Sequence, residues 1–104
     1  MSWIAILALA AIIAGEAPGC SLEAKIAVGQ VHANRIEAGI DGGWFGYADP
    51  TLADVQAAMV ASAYPDTVAG ALYMIGPGDR ERMPWLTERT GRWDCPGTFL
   101  ESWR

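Results

Sequence analysis

Cationic side chains are scarce in this sequence: seven Lys and Arg stand against twelve Asp and Glu, for a net charge of −5. That scarcity argues against nucleic-acid binding, which draws most of its affinity from neutralising phosphates. It also withholds the attraction that would hold an enzyme on an anionic cell wall, so a substrate groove here has to work by stacking and hydrogen bonding. Histidine occurs once, at His32, and cysteine twice, at Cys20 and Cys95. So few soft ligands at these spacings exclude the usual zinc centre, and neither a metal nor a cofactor is expected. The cysteines leave two readings open: two free thiols, or one disulfide closing a long loop and contributing ~4 kcal/mol.

The chain has 104 residues, with room for one domain over 1–104 built on one core. Apolar residues make up 52% and charged ones 18%, a globular rather than disordered balance. Tryptophan is abundant, at Trp3, Trp44, Trp85, Trp93 and Trp103, which suggests that one or two rings line a groove.

Residues 3–15 form an almost unbroken apolar run. It is several residues short of the roughly 20 needed for a membrane span. It also lacks the positively charged segment that opens a signal peptide, since no Lys or Arg precedes Lys25. A core helix from residue 2 to about 16, covered on most sides and broken by Pro18-Gly19, is the reading that remains. Ser21 caps a second helix over residues 22 to about 38, apolar around much of its circumference and therefore central. Residues 41–50 form a Gly-rich loop carrying Trp44, Phe45 and Tyr47. Thr51 and Asp54 resemble a capping box opening a third helix over residues 52–63. A short helix is expected over 68–74. From Gly76 to Gly97 the chain reads as irregular, anchored by Trp85 and Trp93, with a last helical turn after Thr98. Alternating apolar and polar positions are not evident, so the fold class expected is mostly α, with at most a minor hairpin.

Glu16 stands out on physical grounds alone. It ends a long apolar helix, next to the negative end of the dipole and beside Ile12 and Ile13, and both effects disfavour the charged form. A general acid needs a carboxyl group that keeps its proton. The plainer alternative is a solvated glutamate at a helix end.

Two blocks then carry a resemblance. Gly15-Glu16-Ala17-Pro18-Gly19, followed by Lys25-Ile26-Ala27-Val28, Val31 and Asn34-Arg35, resembles the G-E-A-x-G and A-V-x-x-V-x-x-N-R run of the SleB-type cell-wall hydrolases, the spore-cortex-lytic family. Tyr64-Pro65-Asp66-Thr67-Val68-Ala69-Gly70-Ala71-Leu72-Tyr73 is similar to that family's F-P-[ND]-T-V-x-G-V-[IV]-Y segment. The resemblance implies a lysozyme-related helical domain with Glu16 as the catalytic acid. The substrate it implies is the β-1,4 bond between MurNAc and GlcNAc in peptidoglycan, cleaved mainly by lytic transglycosylation. A single carboxylate suits that chemistry, because the sugar's own 6-hydroxyl replaces the second carboxylate of an ordinary glycosidase. The chain departs from the family at Cys20, where a second glutamate is common. It departs again in the link between Arg35 and Tyr64, and after Tyr73.

Asn34 is expected to face Glu16 and either bind sugar or satisfy buried backbone groups. Gln30, one turn away, is a weaker groove candidate, and Tyr73 could present its hydroxyl near the site. Trp44 and Tyr47 are the candidate sugar-stacking pair, with a loop-pinning role as the alternative. Glu23 reads as a surface residue near the second helix start, Arg35 as forming a structural salt bridge, and His32 as a surface or half-buried helix residue. The partner expected is the peptidoglycan glycan strand, with no nucleic acid, no membrane span and an open oligomeric state. The short chain, without leader or wall-binding module, points to a phage-type enzyme acting on the bacterial wall, or to a domain of a longer one. Two rivals stand beside this reading. One is an inert relative that binds glycan or protein, marked by a Glu16 locked in an internal ion pair. The other is a small membrane-associated lysis protein.

Overall fold

Ser2 begins the fold by accepting the Ala5 amide on its hydroxyl, capping α1, which runs over Trp3–Glu16. The computed structural model describes residues 2–40 and 46–104. Ser21 caps α2 (Leu22–Glu37) in the same way through the Ala24 amide, with Glu23 exposed in its first turn. Gly39, at φ 74°, closes α2: the Ile40 amide returns to the Arg35 carbonyl and the Gly39 amide to that of Ile36. Thr51 and Asp54 form the reciprocal capping box that opens α3 (Leu52–Ala63).

α2 is central, as its composition implied. One face meets α1 and α3 in a core of Leu9, Ile13, Val28, Ala57 and Ala61. The other meets Val68 and Ala71 through Ala27 and Val31, with Met74 and Trp93 packed alongside. The three helices approach closely because small residues face one another. A Cβ placed on Gly29 would lie 2.8 Å from the Ala61 Cβ and 3.2 Å from Ile13 Cδ1. Across the same helices runs a buried ion pair, Lys25 of α2 with Asp54 of α3. Burial alone would raise the Asp54 carboxyl. Hydrogen bonds from Lys25 and Thr51, together with the Lys25 charge, outweigh it and hold the group below its ordinary value.

α1 is covered less than its apolar sequence suggested. Its second half is buried, but Ile4 is 82% exposed and Trp3 and Leu7 are also open, because α2 and α3 pack on the C-terminal turns. Among the described residues no helix is long and apolar enough to cross a membrane.

The mostly helical expectation fails in the last third of the chain, and the fold is mixed α/β. β1 (Tyr73–Ile75), β2 (Arg89–Cys95) and β3 (Thr98–Trp103) form an antiparallel sheet in the order β1-β3-β2. The short helix expected over 68–74 does not form. Ala69 (φ 51°) and Gly70 (φ 75°) are left-handed, which turns the chain and delivers it to β1. The last helical turn expected after Thr98 is instead β3. Cys95-Pro96-Gly97-Thr98 makes the tight turn between β2 and β3, with proline at its second position and Gly97 at φ 73° at its third. Trp85, expected as an anchor, is exposed, whereas Trp93 and Trp103 are half-buried on the sheet.

Cys20 and Cys95 are joined in a disulfide that resolves the two readings left open by the sequence. It ties the turn between α1 and α2 to the end of β2, four residues after Glu16.

Candidate functional site

Glu16 stands at the last turn of α1, where the chain is held tightly on both sides. Gly15 lies against the backbone of Gly46, so close that a Cβ there would sit 2.5 Å from the Gly46 carbonyl oxygen. The Ala48 amide donates to the Ala11 carbonyl one turn earlier. On the other side Ala17 is fully buried and its amide donates to Ile13. With the backbone fixed, the Glu16 side chain emerges between helix and sheet.

It lines a cavity of about 560 Å³. The opposite walls come from the sheet, through Met74 and Ile75 of β1 and Leu100 of β3. The remainder comes from the segment after β1, where Gly76, Asp79, Arg82 and Met83 close the space. Asp79 is a second carboxylate on this cavity. Its Oδ2 accepts the Gly76 amide at 2.9 Å, and its Oδ1 pairs with the Arg82 guanidinium. Among the described residues the lining carries no aromatic ring, and its character is apolar with charge concentrated at Glu16, Asp79 and Arg82.

Behind Glu16 lies His32. Its Nε2 is 2.7 Å from Glu16 Oε2, and the side chains are 3% and 12% exposed respectively. The sequence reading placed His32 at the surface or half-buried on α2; the structure buries it. A small cleft of about 30 Å³ adjoins the pair, lined also by Arg35, Leu72 and Tyr73. Arg35 donates to the Leu72 carbonyl at 2.8 Å and its guanidinium lies 5.4 Å from the centre of the Tyr73 ring. The sequence reading expected a structural salt bridge at Arg35; the contacts described are with a carbonyl and a ring. Tyr73 is thus near Glu16, held on β1 opposite Trp103.

Gln30 and Asn34 are engaged elsewhere. The Gln30 amide donates to the Pro65 carbonyl at 3.0 Å, and its oxygen accepts the Thr67 amide and hydroxyl at 2.8 and 2.6 Å. Asn34 donates to the Ala71 carbonyl at 3.1 Å and to Asp66 at 3.3 Å. Asp66 in turn accepts the amides of Val68 and Gly70. The two sequence blocks therefore interlock: polar side chains of α2 pin the 65–72 segment that leads into β1. Neither Gln30 nor Asn34 lines the large cavity. Tyr47 is exposed on the segment before α3, and Trp44 lies outside the described residues.

His32, Asp79, Arg82, Met83 and Leu100 were not singled out as site residues from the sequence. The lone histidine sits one turn after Val28, which is the α2 face that enters the core, and that spacing was the available signal for His32. The others depend on the sheet and its preceding segment, which the sequence reading took for irregular chain. Among the described residues no group of three or more His, Cys, Asp or Glu is arranged to hold a metal ion. Comparison with protein-family models, with curated proteins and with solved structures finds no match to this chain.

Proposed function

We propose that the chain cleaves peptidoglycan glycan strands at the β-1,4 bond between MurNAc and GlcNAc, with Glu16 as its acid/base. The observation that carries this reading is a carboxylate on a rigid helix end, with one oxygen held by His32, lining a cavity of about 560 Å³. It gains weight from the resemblance to SleB-type hydrolases, in which Glu16 aligns with the catalytic glutamate. In the lytic route Glu16 protonates the glycosidic oxygen as the bond to C1 breaks. It then accepts the proton of the 6-hydroxyl that attacks C1, which leaves a 1,6-anhydro sugar end. A second protein carboxylate is dispensable in that route. Asp79 lines the same cavity but is bonded to Gly76 and Arg82, which suits it to shaping the wall. Of the substrate-binding candidates Tyr73 is best placed, through the cleft it shares with Glu16.

A second reading has its own observation. A Glu16 locked in an internal salt bridge would favour an inert relative that binds glycan or protein, and Glu16 Oε2 lies 2.7 Å from His32 Nε2, a salt bridge whenever the imidazole is protonated. The cavity that Glu16 lines favours the catalytic reading. The test is digestion of purified sacculi by the wild type and by Glu16→Gln, with mass spectrometry of the released muropeptides. Anhydro-muropeptides released by the wild type, and reduced at least a hundredfold in Glu16→Gln, are expected. No release from any wall type would leave the inert reading.

A further inference from the structure

MurNAc differs from GlcNAc by a lactyl ether, which ends in its own carboxylate or runs on into a stem peptide that bears carboxylates. Among the described residues the cavity that Glu16 lines has one cationic side chain, Arg82. We propose that Arg82 is a specificity residue, whose guanidinium receives that carboxylate and so selects muramic strands over uncharged polymers of GlcNAc. This rests on the reading of the cavity as the glycan site and deepens it by naming the group recognised there.

Arg82 differs from its neighbouring arginine in what holds it. Arg80, on the same short turn, donates to the carbonyls of Met83 and Leu86 and lies 4.7 Å from the centre of the Trp103 ring. It fastens the segment after β1 to the sheet. Arg82 is 77% exposed at the rim, and its Nη2 pairs with Asp79 Oδ1. Asp79 is itself held by the Gly76 amide, so its carboxylate keeps the guanidinium at the cavity. An exposed ion pair of this kind contributes little to stability, which leaves Arg82 available to a ligand without loosening the fold. The arginine fork carries five N–H donors and matches a carboxylate through two parallel bonds.

The charge around the site points the same way. Glu16 and Asp79 put two carboxyl groups on the cavity, and the whole chain carries a net charge of −5. An anionic substituent entering there is repelled unless a cation receives it. The other side chains of the lining, Met74, Ile75, Met83 and Leu100, offer apolar surface and no hydrogen-bond donor. Arg82 is therefore the group that decides whether a charged sugar substituent is admitted.

The test is NMR titration of the intact protein with three disaccharides: GlcNAc–MurNAc with its free lactyl acid, GlcNAc–MurNAc carrying a dipeptide stem, and GlcNAc–GlcNAc. The two muramic probes lack the MurNAc–GlcNAc bond and are not turned over. At least one should bind about tenfold tighter than GlcNAc–GlcNAc, the scale of a charge-assisted hydrogen bond at an exposed site. Tighter binding of the free acid assigns the lactyl carboxylate, and tighter binding of the dipeptide form assigns the stem. Arg82→Gln should bring all the probes to within about twofold of one another, and Arg82→Lys should keep part of the preference. Both variants should keep the wild-type melting midpoint, since the side chain is exposed. Equal affinities in the wild type, binding of no probe, or a preference that survives Arg82→Gln would overturn the proposal. On soluble glycan strands Arg82→Gln should raise KM about tenfold with kcat within about twofold, and a fall in kcat alone would also overturn it. A wild type that binds muramic probes through Arg82 but releases nothing from sacculi keeps this proposal and removes the acid/base reading of Glu16.

Discussion

The closest approach among the three helices gives a sharp test of how the core is assembled. In an exposed helix interior, Gly→Ala stabilises by about 1 kcal/mol, because alanine restricts the unfolded chain and shields the backbone. At Gly29 that gain meets an obstacle. The new methyl would lie 2.8 Å from the Ala61 Cβ, 3.2 Å from Ile13 Cδ1 and 3.8 Å from Leu9 Cδ2. Carbon atoms pack best at about 3.5–4.0 Å, so α2 and α3 have to part by most of an ångström. Overpacking of this kind costs about 1–3 kcal/mol, and parting the helices also loosens contacts along their shared face. Gly29→Ala should therefore destabilise by about 1–2 kcal/mol net, lowering Tm by roughly 5–15 °C for a domain of this size. Urea titration followed by circular dichroism measures the midpoint, and an unchanged slope would show that the unfolded reference is unaltered. The cycle with Ala61→Gly isolates the contact: the glycine itself costs about 1 kcal/mol in a helix, so the double change should be less damaging than the sum of the single changes, by a coupling of about 1–2 kcal/mol. A Gly29→Ala protein more stable than wild type, with additive effects at the two positions, would refute the close crossing of α2 and α3.

Two further outcomes bear on what holds the site in place. Lys25→Met should cost about 3–5 kcal/mol near neutral pH, since it leaves Asp54 charged, buried and without its cation. The folded-state value of Asp54 is depressed, so its contribution in the wild type is present above the ordinary carboxylate range and lost as pH falls through the lowered value. In Lys25→Met burial then dominates and favours the protonated acid, so the gap to wild type should narrow as pH drops towards 4. A gap constant with pH in urea titrations would contradict that account. Replacing Cys20 and Cys95 by serine opens a link of sequence separation 75 and should lower stability by ~4 kcal/mol in the chain-entropy model. Equal midpoints for the wild type with and without reductant, with thiol counts confirming reduction, would show that the crosslink contributes nothing.

The helices were legible because their signals are local. Ser2, Ser21 and the Thr51–Asp54 box mark starts with side-chain oxygens that accept backbone amides, and Gly39 marks a stop by its left-handed φ. The sheet was not legible, for an equally local reason. On β3 the buried position is Ser102, which bonds Thr90 and receives the Trp93 indole, while the bulge between Arg89 and Gly91 breaks the register on β2. An inward face that mixes Thr90, Gly91 and Ser102 with Trp93 and Leu100 gives little hydropathy alternation to detect. The Pro96-Gly97 pair looked like irregular chain but is the turn between two strands. The site divides along the same line. Glu16 was singled out as the end of an apolar helix, and the cavity walls it faces were not, because they belong to the sheet and the segment after β1.

The placement of Glu16 follows from constraints that each act on the few residues around it. Gly15 is the residue that lets the 46–48 segment lie on α1, and Ala17 is small enough to be buried at the helix end. Cys20 then fastens the next turn to β2 through the disulfide. On α2, Gln30, Asn34 and Arg35 commit their polar groups to the 65–72 segment and so fix where β1 begins. β1 in turn supplies Met74 and Ile75 to the wall opposite Glu16. The carboxylate and its wall are thus set by separate elements that share α2 and the disulfide. His32, whose Nε2 lies 2.7 Å from Glu16 Oε2, is then the residue through which α2 fixes the direction of that carboxylate.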